Sequence, residues 1–275
     1  MESVNCAICS SDKSVLLHKK DSFNIVKCIN CDLVYVTPRL TFKELEEFYA
    51  NNYYEYVDSY DHDFHRRKGA IRWIRKYKSS GKLLDIGCSV GSMLEAATGY
   101  FEPLGIDVAE WSLENARKRN LNVQNGTLED LKFEKETFDV VTFTEVIEHI
   151  HNPLSFLKEV NRVLKPQGII YITTGNIDGF RARRDGNKWY YLTPQYHIYF
   201  FSPKTIRKIL KQSGFEVLEI GGLFQLRDMF PLWKDYPNKW DFVKACIGKM
   251  SFADFTFGDM GIIARKVRST ENSKV

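Results

Sequence analysis

From Lys82 onward, short apolar runs and amphipathic stretches take turns along the chain, and this alternation constrains the fold more than any other feature. The apolar runs read as strands at Leu83–Ile86, Pro103–Asp107, Asn122–Gln124, Phe138–Thr144 and Gly168–Thr174. Helical patterns fill the gaps near 91–99, 110–119 and 153–164, the last with Asn152 as N-cap and Pro153 in its first position. Strands and helices that alternate bury one another best as a parallel sheet covered on both faces. After an interruption at 176–201, Ser202-Pro203 opens a further helix that Gly214 stops. Strands at Phe215–Ile220 and about Gly258–Arg265 then flank an insertion, 223–255, and predict a final antiparallel hairpin. The expected fold class is α/β: a Rossmann-like sheet of about seven strands, mostly parallel, with one antiparallel at the end.

At 275 residues the chain is somewhat longer than such a domain needs, and part of the surplus lies at its front. Residues 1–37 are β-prone and carry Cys6-x-x-Cys9 and Cys28-x-x-Cys31; the other two cysteines, Cys88 and Cys246, stand alone. Two residues between cysteines let both thiolates of a knuckle reach one ion. Two knuckles complete the tetrahedron that Zn²⁺ accepts, at about 2.3 Å per sulfur. Four thiolates leave no open position, so the expected role of Cys6, Cys9, Cys28 and Cys31 is structural. A redox pair fits less well, because neither knuckle opens a helix of a βαβ unit. Residues 38–80 read as a helical connector, with a capping box at Thr41 and Glu44 and a second helix at about 62–78 that places Phe64, Ile71, Ile74 and Tyr77 near one face. Residues 81–275 form the α/β domain, with lid insertions at about 176–201 and 223–255.

The net charge of +4 does not demand nucleic acid, since lysines and aspartates are interspersed in the leader. No apolar stretch is long enough for a secretory signal or a membrane span, so the expected location is cytoplasmic.

LLDIGCSVGSMLEAA runs from an apolar strand through Gly87 and Gly91 into a helix, where glycines permit a tight turn and close backbone approach to a ligand. Asp85, just before the turn, would repel a pyrophosphate and attract an ammonium or sulfonium. Asp107 ends the next strand, where a carboxylate can accept both ribose hydroxyls.

DIGCSVG, the acidic Asp107, FDVVTFTEVIEHI and LKEVNRVLKPQGIIYITT together resemble the class I S-adenosylmethionine-dependent methyltransferases across roughly residues 81–266. Ser89 stands where a middle glycine is usual, which suits the loop if its φ stays negative. The resemblance implies S-adenosylmethionine as cofactor, with Gly87, Cys88 and Gly91 along its methionine part, Val108 flanking the adenine, and Leu128 and Glu129 near the adenine edge. Asp85 and Thr144, at the ends of two central strands, join this set. Thr127 stands where the family often has an acidic residue.

TEVIEHIHN places Glu145, Glu148, His149 and His151 at the carboxyl edge of the sheet, where the methyl acceptor should lie. Three readings compete there. His149 serves as a general base; or Glu145, Glu148 and His149 hold a divalent ion, as a similar run does in ubiquinone-biosynthesis O-methyltransferases; or the run simply turns the chain. His197, in the aromatic and basic stretch after the fifth strand, is the second candidate base. Arg181, Arg183, Arg184 and Lys188 could grip an anionic acceptor group. The N-terminal pattern also resembles a zinc-binding leader found ahead of many bacterial methyltransferases. The expected function is therefore methyl transfer to a small molecule, mainly O-directed, on a sugar, nucleotide-sugar or related metabolite. The alternative is an RNA methyltransferase that grips its substrate with the zinc ribbon.

Overall fold

The computed structural model of the chain describes residues 1–45, 47, 60–222 and 259–267. The expected insertion at 223–255, the tyrosine-rich stretch over 48–59, the side chain of Phe64, the tail beyond Val267 and Cys246 lie outside the described residues.

The leader folds as three antiparallel strands, β1 (Ser14–Lys20), β2 (Phe23–Cys28) and β3 (Val34–Val36). Thr41 caps the helical turn at 42–45 through its bonds with Glu44, as the capping box predicts. Helix α1 (Tyr60–Ile74) follows. It buries Ala70, Ile71 and Ile74 against Leu83, Met93, Phe101 and Val140, so it covers one face of the main sheet.

That sheet contains β4 (Lys82–Ile86), β5 (Glu102–Asp107), β6 (Val123–Asn125), β7 (Phe138–Thr144) and β8 (Leu164–Gly175). The connecting helices are α2 (Ser92–Ala97), α3 (Glu110–Lys118), α4 (Leu128–Leu131) and α5 (Pro153–Val163). β7 is buried at every position, as a central parallel strand covered on both faces must be. Helix α6 (Phe180–Asp185), the short strand β9 (Tyr199–Phe200) and helix α7 (Pro203–Gln212) come next, then β10 (Phe215–Gly222) and β11 (Asp259–Lys266). The seven strands lie in the order β10-β11-β8-β7-β4-β5-β6. β11 runs antiparallel to both β10 and β8, so the strand that ends the chain's sheet slots between two others.

β9 leaves the main sheet and pairs with β3, making the leader's sheet four-stranded. The expected boundary at residue 37 therefore falls inside a shared structure. Cys6, Ile8, Cys28, Leu33 and Tyr35 pack in one continuous core with Phe156, Ile198, Phe201, Ile206 and Leu210. Among the described residues no helix is long and apolar enough to cross a membrane.

Candidate functional site

The cofactor loop begins where β4 ends. Gly87 takes φ +69°, and a Cβ there would fall 2.6 Å from Val146 Cγ2. Gly91 takes φ +88° and is closed in by Leu121 Cδ1 at 2.4 Å from the same test position. Both glycines are thus required by conformation and by space.

Ser89 departs from expectation, because its φ is +48° rather than negative. A left-handed non-glycine residue costs about 1–2 kcal/mol. The conformation turns the Ser89 N–H onto Asp107 Oδ2 at 2.8 Å. A hydrogen bond to a charged group contributes about 1.5–3 kcal/mol, enough to offset that cost.

Asp107 also accepts from Ala109 N–H at 2.9 Å, which fixes the carboxylate at the start of α3. Burial pushes its pKa up, while the backbone N–H groups of Ala109, Ser89 and Val108 pull it back. Val108 is 68% exposed, so an apolar face is open beside this carboxylate. Asp85 is buried on β4 and accepts from Thr142 Oγ1 at 2.6 Å. Thr144 is buried at the end of β7.

Cys88 turns its side chain away from the loop's open face. Its sulfur lies 2.6 Å from where a Gly105 Cβ would stand, and it packs with Leu94 and Leu113. Burial, with Asp85 and Asp107 nearby, pushes the thiol pKa up. Only the backbone of Cys88 remains to line a ligand. Leu128 likewise buries its side chain, whereas Glu129 is exposed. Thr127, in place of an acidic residue, caps α4 in a capping box with Asp130.

The second half of the site lies at the carboxyl ends of β7 and β8. Glu145 follows β7 with φ +55°, a conformation that costs free energy in a non-glycine residue. Its carboxylate accepts from Thr173 Oγ1 at 2.8 Å and from Tyr191 Oη at 2.7 Å. Glu148 is fully buried, accepts from Thr174 Oγ1 at 3.0 Å, and also meets Tyr191 Oη. Tyr191 reaches this position because Gly175 ends β8: a Cβ there would stand 2.4 Å from the Tyr191 ring. Burial raises the pKa of both carboxyls; Asp259 adds to the effect on Glu145, and Glu145 adds to the effect on Glu148.

The two expected bases stand side by side, with ring centroids 4.7 Å apart. His149 Nδ1 donates to Tyr196 O at 3.0 Å, and His197 Nδ1 donates to Tyr191 O at 2.7 Å. Burial lowers their pKa values to about 4 and about 3, so both rings are neutral near pH 7. A ligand atom from each of Glu148, His149 and His197 falls within one 4.8 Å cluster. Both Glu148 oxygens already serve the hydrogen bonds just described. His151 stays out of this cluster and bonds Leu40 O through Nε2 at 3.0 Å.

The aromatic stretch divides its labour. Trp189, Tyr191, Leu192 and Phe200 fill a core against Phe23, Ile25, Val34 and Val36 of the leader, whereas Tyr190 is exposed and donates to Asp259 Oδ1 at 2.8 Å. Arg184 is paired with Asp185, and Arg181 lies over the Tyr190 ring at 5.8 Å.

At the opposite end of the leader's sheet the four cysteine sulfurs lie within 4.8 Å of one another. Cys6 and Cys31 are 3.3 Å apart, Cys9 and Cys28 3.5 Å. Each knuckle is followed by a left-handed residue, Ser10 at φ +58° and Asp32 at φ +71°, which turns the chain back around the sulfurs. Burial raises Cys6 to about 11 and raises Cys31 further; for Cys28 burial also raises, but backbone N–H groups of Cys31 and Asn30 outweigh it and the net shift is downward. Such a set of soft donors fits a tetrahedral thiophilic cation.

A family profile described as "Methyltransferase domain" matches residues 60–220. The ubiquinone biosynthesis O-methyltransferase of Haemophilus ducreyi is 36% identical over 107 residues, covering 34% of this chain and 45% of that protein. The enzyme of the same name from Idiomarina loihiensis is 31% identical over 156 residues, covering 52% of this chain and 64% of that protein. The match thus spans less than two thirds of either relative. The structure of a SAM-dependent methyltransferase from Archaeoglobus fulgidus superposes with TM-score 0.60 at 23% identity, covering 78% of this chain and 100% of its own. One from Thermotoga maritima gives 0.56 at 20%, covering 82% and 98%. These two share the fold.

Proposed function

The chain belongs to the methyltransferase-domain family, and on that premise we propose that it transfers the methyl group of S-adenosylmethionine to a hydroxyl of a small-molecule acceptor. When bound, that cofactor supplies a sulfonium, an activated methyl that needs an aligned nucleophile more than it needs help from side chains.

The observation that carries the proposal is the clasp between Ser89 and Asp107. It fixes a carboxylate beside the open face of Val108, with one lone pair left on each oxygen for the ribose hydroxyls. Gly87 and Gly91 let the loop backbone approach the amino-acid part, and a carboxyl at Asp85 suits a cation better than a diphosphate. Leu128 and Glu129 contribute to the adenine edge through backbone and side chain respectively, and Thr144 closes the pocket at β7. His149 and His197 serve as neutral, oriented imidazoles lining the acceptor side. The hydroxyl as acceptor group follows the names of the relatives, which are O-methyltransferases. Sugars and nucleotide sugars remain within the acceptor class to be tried.

The leader's four thiolates hold Zn²⁺ in a closed structural site in this reading. Two of the leader's four lysines are tied down, Lys27 by Asp32, which Lys204 of α7 also meets, and Lys20 through Nζ to Leu192 O at 2.9 Å. Asp12, Asp21 and Asp32 are interspersed among the lysines. That arrangement favours a small acceptor over an RNA backbone, which requires a free basic surface.

Calorimetry with S-adenosylmethionine, S-adenosylhomocysteine and NAD tests the cofactor. Binding of the first two at micromolar strength and no binding of NAD is expected. Gly87→Ala, strained by its φ and by Val146, should weaken that binding at least tenfold, roughly 1.4 kcal/mol or more. Labelled methyl transfer to catechols, sugars and nucleotide sugars tests the acceptor; transfer only to RNA would overturn the reading.

A further inference from the structure

We infer that helix α7 of the methyltransferase domain completes the metal site of the leader. Lys208 and Gln212 are positioning residues that hold the two cysteine knuckles against one ion, and Lys204 fixes the turn that closes the second knuckle. The inference rests on the reading of the quartet as a zinc site and adds residues outside the leader on which zinc affinity depends.

Each knuckle shapes itself by local bonds. Cys6 N–H donates to Ser11 O at 3.0 Å, and Cys28 N–H donates to Leu33 O at 2.9 Å. Neither bond reaches the other knuckle, and the β1–β2 hairpin separates the two along the chain. A tetrahedral ion needs sulfurs from both at about 2.3 Å, so the relative placement of the knuckles decides how well four donors converge.

Helix α7 supplies that placement. Its positions 204, 208 and 212 recur every four residues, the spacing of neighbours on one helix face. Lys204 pairs with Asp32, the left-handed residue that follows the second knuckle. One turn on, Lys208 Nζ donates to Cys31 O at 3.0 Å. One turn further, Gln212 Nε2 donates to Ile8 O, inside the first knuckle, at 3.1 Å. A single stripe therefore grips both knuckles. The helix that carries it is itself anchored: Ser202 caps it in a capping box with Thr205, and Ile206, Ile209 and Leu210 pack in the same core as Cys6, Ile8, Cys28 and Cys31.

Charge adds to geometry. A divalent ion on four thiolates keeps a net negative charge, which a nearby cation stabilises. Cys9, the exposed cysteine, lines a groove with Cys31, Ile8, Lys208, Lys211 and Gln212. Lys27 and Lys204 are committed to Asp32. Lys208 is the cation tied directly to a ligand residue, and Cys31 O holds its ammonium in that groove. Lys211 shares the groove without a bond to either knuckle among the described residues. The leader is then not an independent zinc module, because the methyltransferase domain sets its affinity.

Zinc affinity of the full chain, measured by competition with a chromogenic chelator, tests this. Lys208→Met keeps the apolar stem and removes both donor and charge, and should weaken zinc binding about 10–100-fold. Gln212→Met removes one neutral hydrogen bond and should weaken it about 3–10-fold. Lys208→Arg, which keeps donor and charge, should bind as the wild type does, and so should Lys211→Met. Salt separates the two contributions: at about 0.5 M NaCl the Lys208→Met deficit should shrink and the Gln212→Met deficit should not. Urea midpoints give a check that a general packing defect fails. The metal-free midpoint should hold in each variant while the zinc-loaded one drops in Lys208→Met and Gln212→Met. Wild-type affinity in those two variants overturns the inference and leaves the zinc site standing. An equal loss in Lys211→Met, or a metal-free midpoint that falls as far as the loaded one, overturns it in the same way. A wild type that takes up neither zinc nor cobalt overturns the site and the inference together.

Discussion

The cysteine quartet and the acidic edge both gather groups that hold cations or protons, but they are assembled over different ranges. Each knuckle is made within four residues, and a left-handed residue, Ser10 or Asp32, completes its turn. The acidic edge needs Glu145 and Glu148 from the end of β7, Thr173 and Thr174 from β8, and Tyr191 from the lid. The first can be recognised by spacing. The second exists only after the strands have paired and Gly175 has made room for the Tyr191 ring.

The two clusters also communicate through one residue. Ile198 N–H donates to Glu148 O at 2.9 Å, and Ile198 O accepts from Val36 N–H at 3.0 Å. The leader's β3 therefore holds the lid by backbone bonds while the lid holds the acidic edge. A local cysteine knuckle can in this way stabilise a non-local site that it does not touch.

Breaking the quartet should give the largest effect. Cys28→Ser removes a fully buried donor and is expected to cost on the order of 4 kcal/mol or more. Elemental analysis should find one zinc per wild-type chain and less than half of that in the variant. Hydrogen exchange should accelerate at Tyr199 and Phe200 as well as in the leader. If only the leader loosens, the coupling through β3 and β9 is wrong.

A smaller effect is expected from Arg39→Ala. Arg39 is buried, donates from Nε to Glu2 at 2.8 Å, and from Nη1 to His151 O and Tyr199 Oη, each at 3.0 Å. Its loss removes these three charge-assisted bonds, although Tyr199 Oη still donates to His151 O at 3.2 Å, so the cost is about 2 kcal/mol. Urea titration should show a lower midpoint with an unchanged slope. Zinc content should stay at the wild-type value, which separates the clamp from the knuckles.

The smallest effect lies at the far end of the sheet, away from both clusters. Asp139 accepts from Lys82 N–H at 3.0 Å and pairs with Lys165 at 2.8 Å and Lys78 at 3.1 Å. Burial opposes its charge, yet Lys165, the Lys82 N–H and Lys78 outweigh burial and depress its pKa. A depressed carboxylate stabilises the fold above its unfolded pKa of about 3.9 and loses that contribution as pH falls through the folded value. Asp139→Asn should therefore cost about 1 kcal/mol at pH 7 and progressively less as pH falls below the unfolded pKa, measured by urea unfolding across that range. Methyl transfer at pH 7 should not change, since the residue lies at the amino edge of the sheet.

The sequence by itself determined the parallel core, because apolar periodicity and turn residues act within a few positions of one another. It determined the thiol quartet for the same reason, and it located Gly87, Gly91 and Asp107, whose roles depend on a single strand–turn–helix unit. Tertiary structure alone decided that β9 leaves the lid to extend the leader's sheet and that Cys88 turns inward against Gly105. It alone decided the left-handed Ser89, which a partner eighteen residues away holds in place. Tyr191 among two glutamates was equally invisible. Its chemistry depends on which oxygens come within hydrogen-bond reach, and that is fixed by packing between elements far apart in the chain.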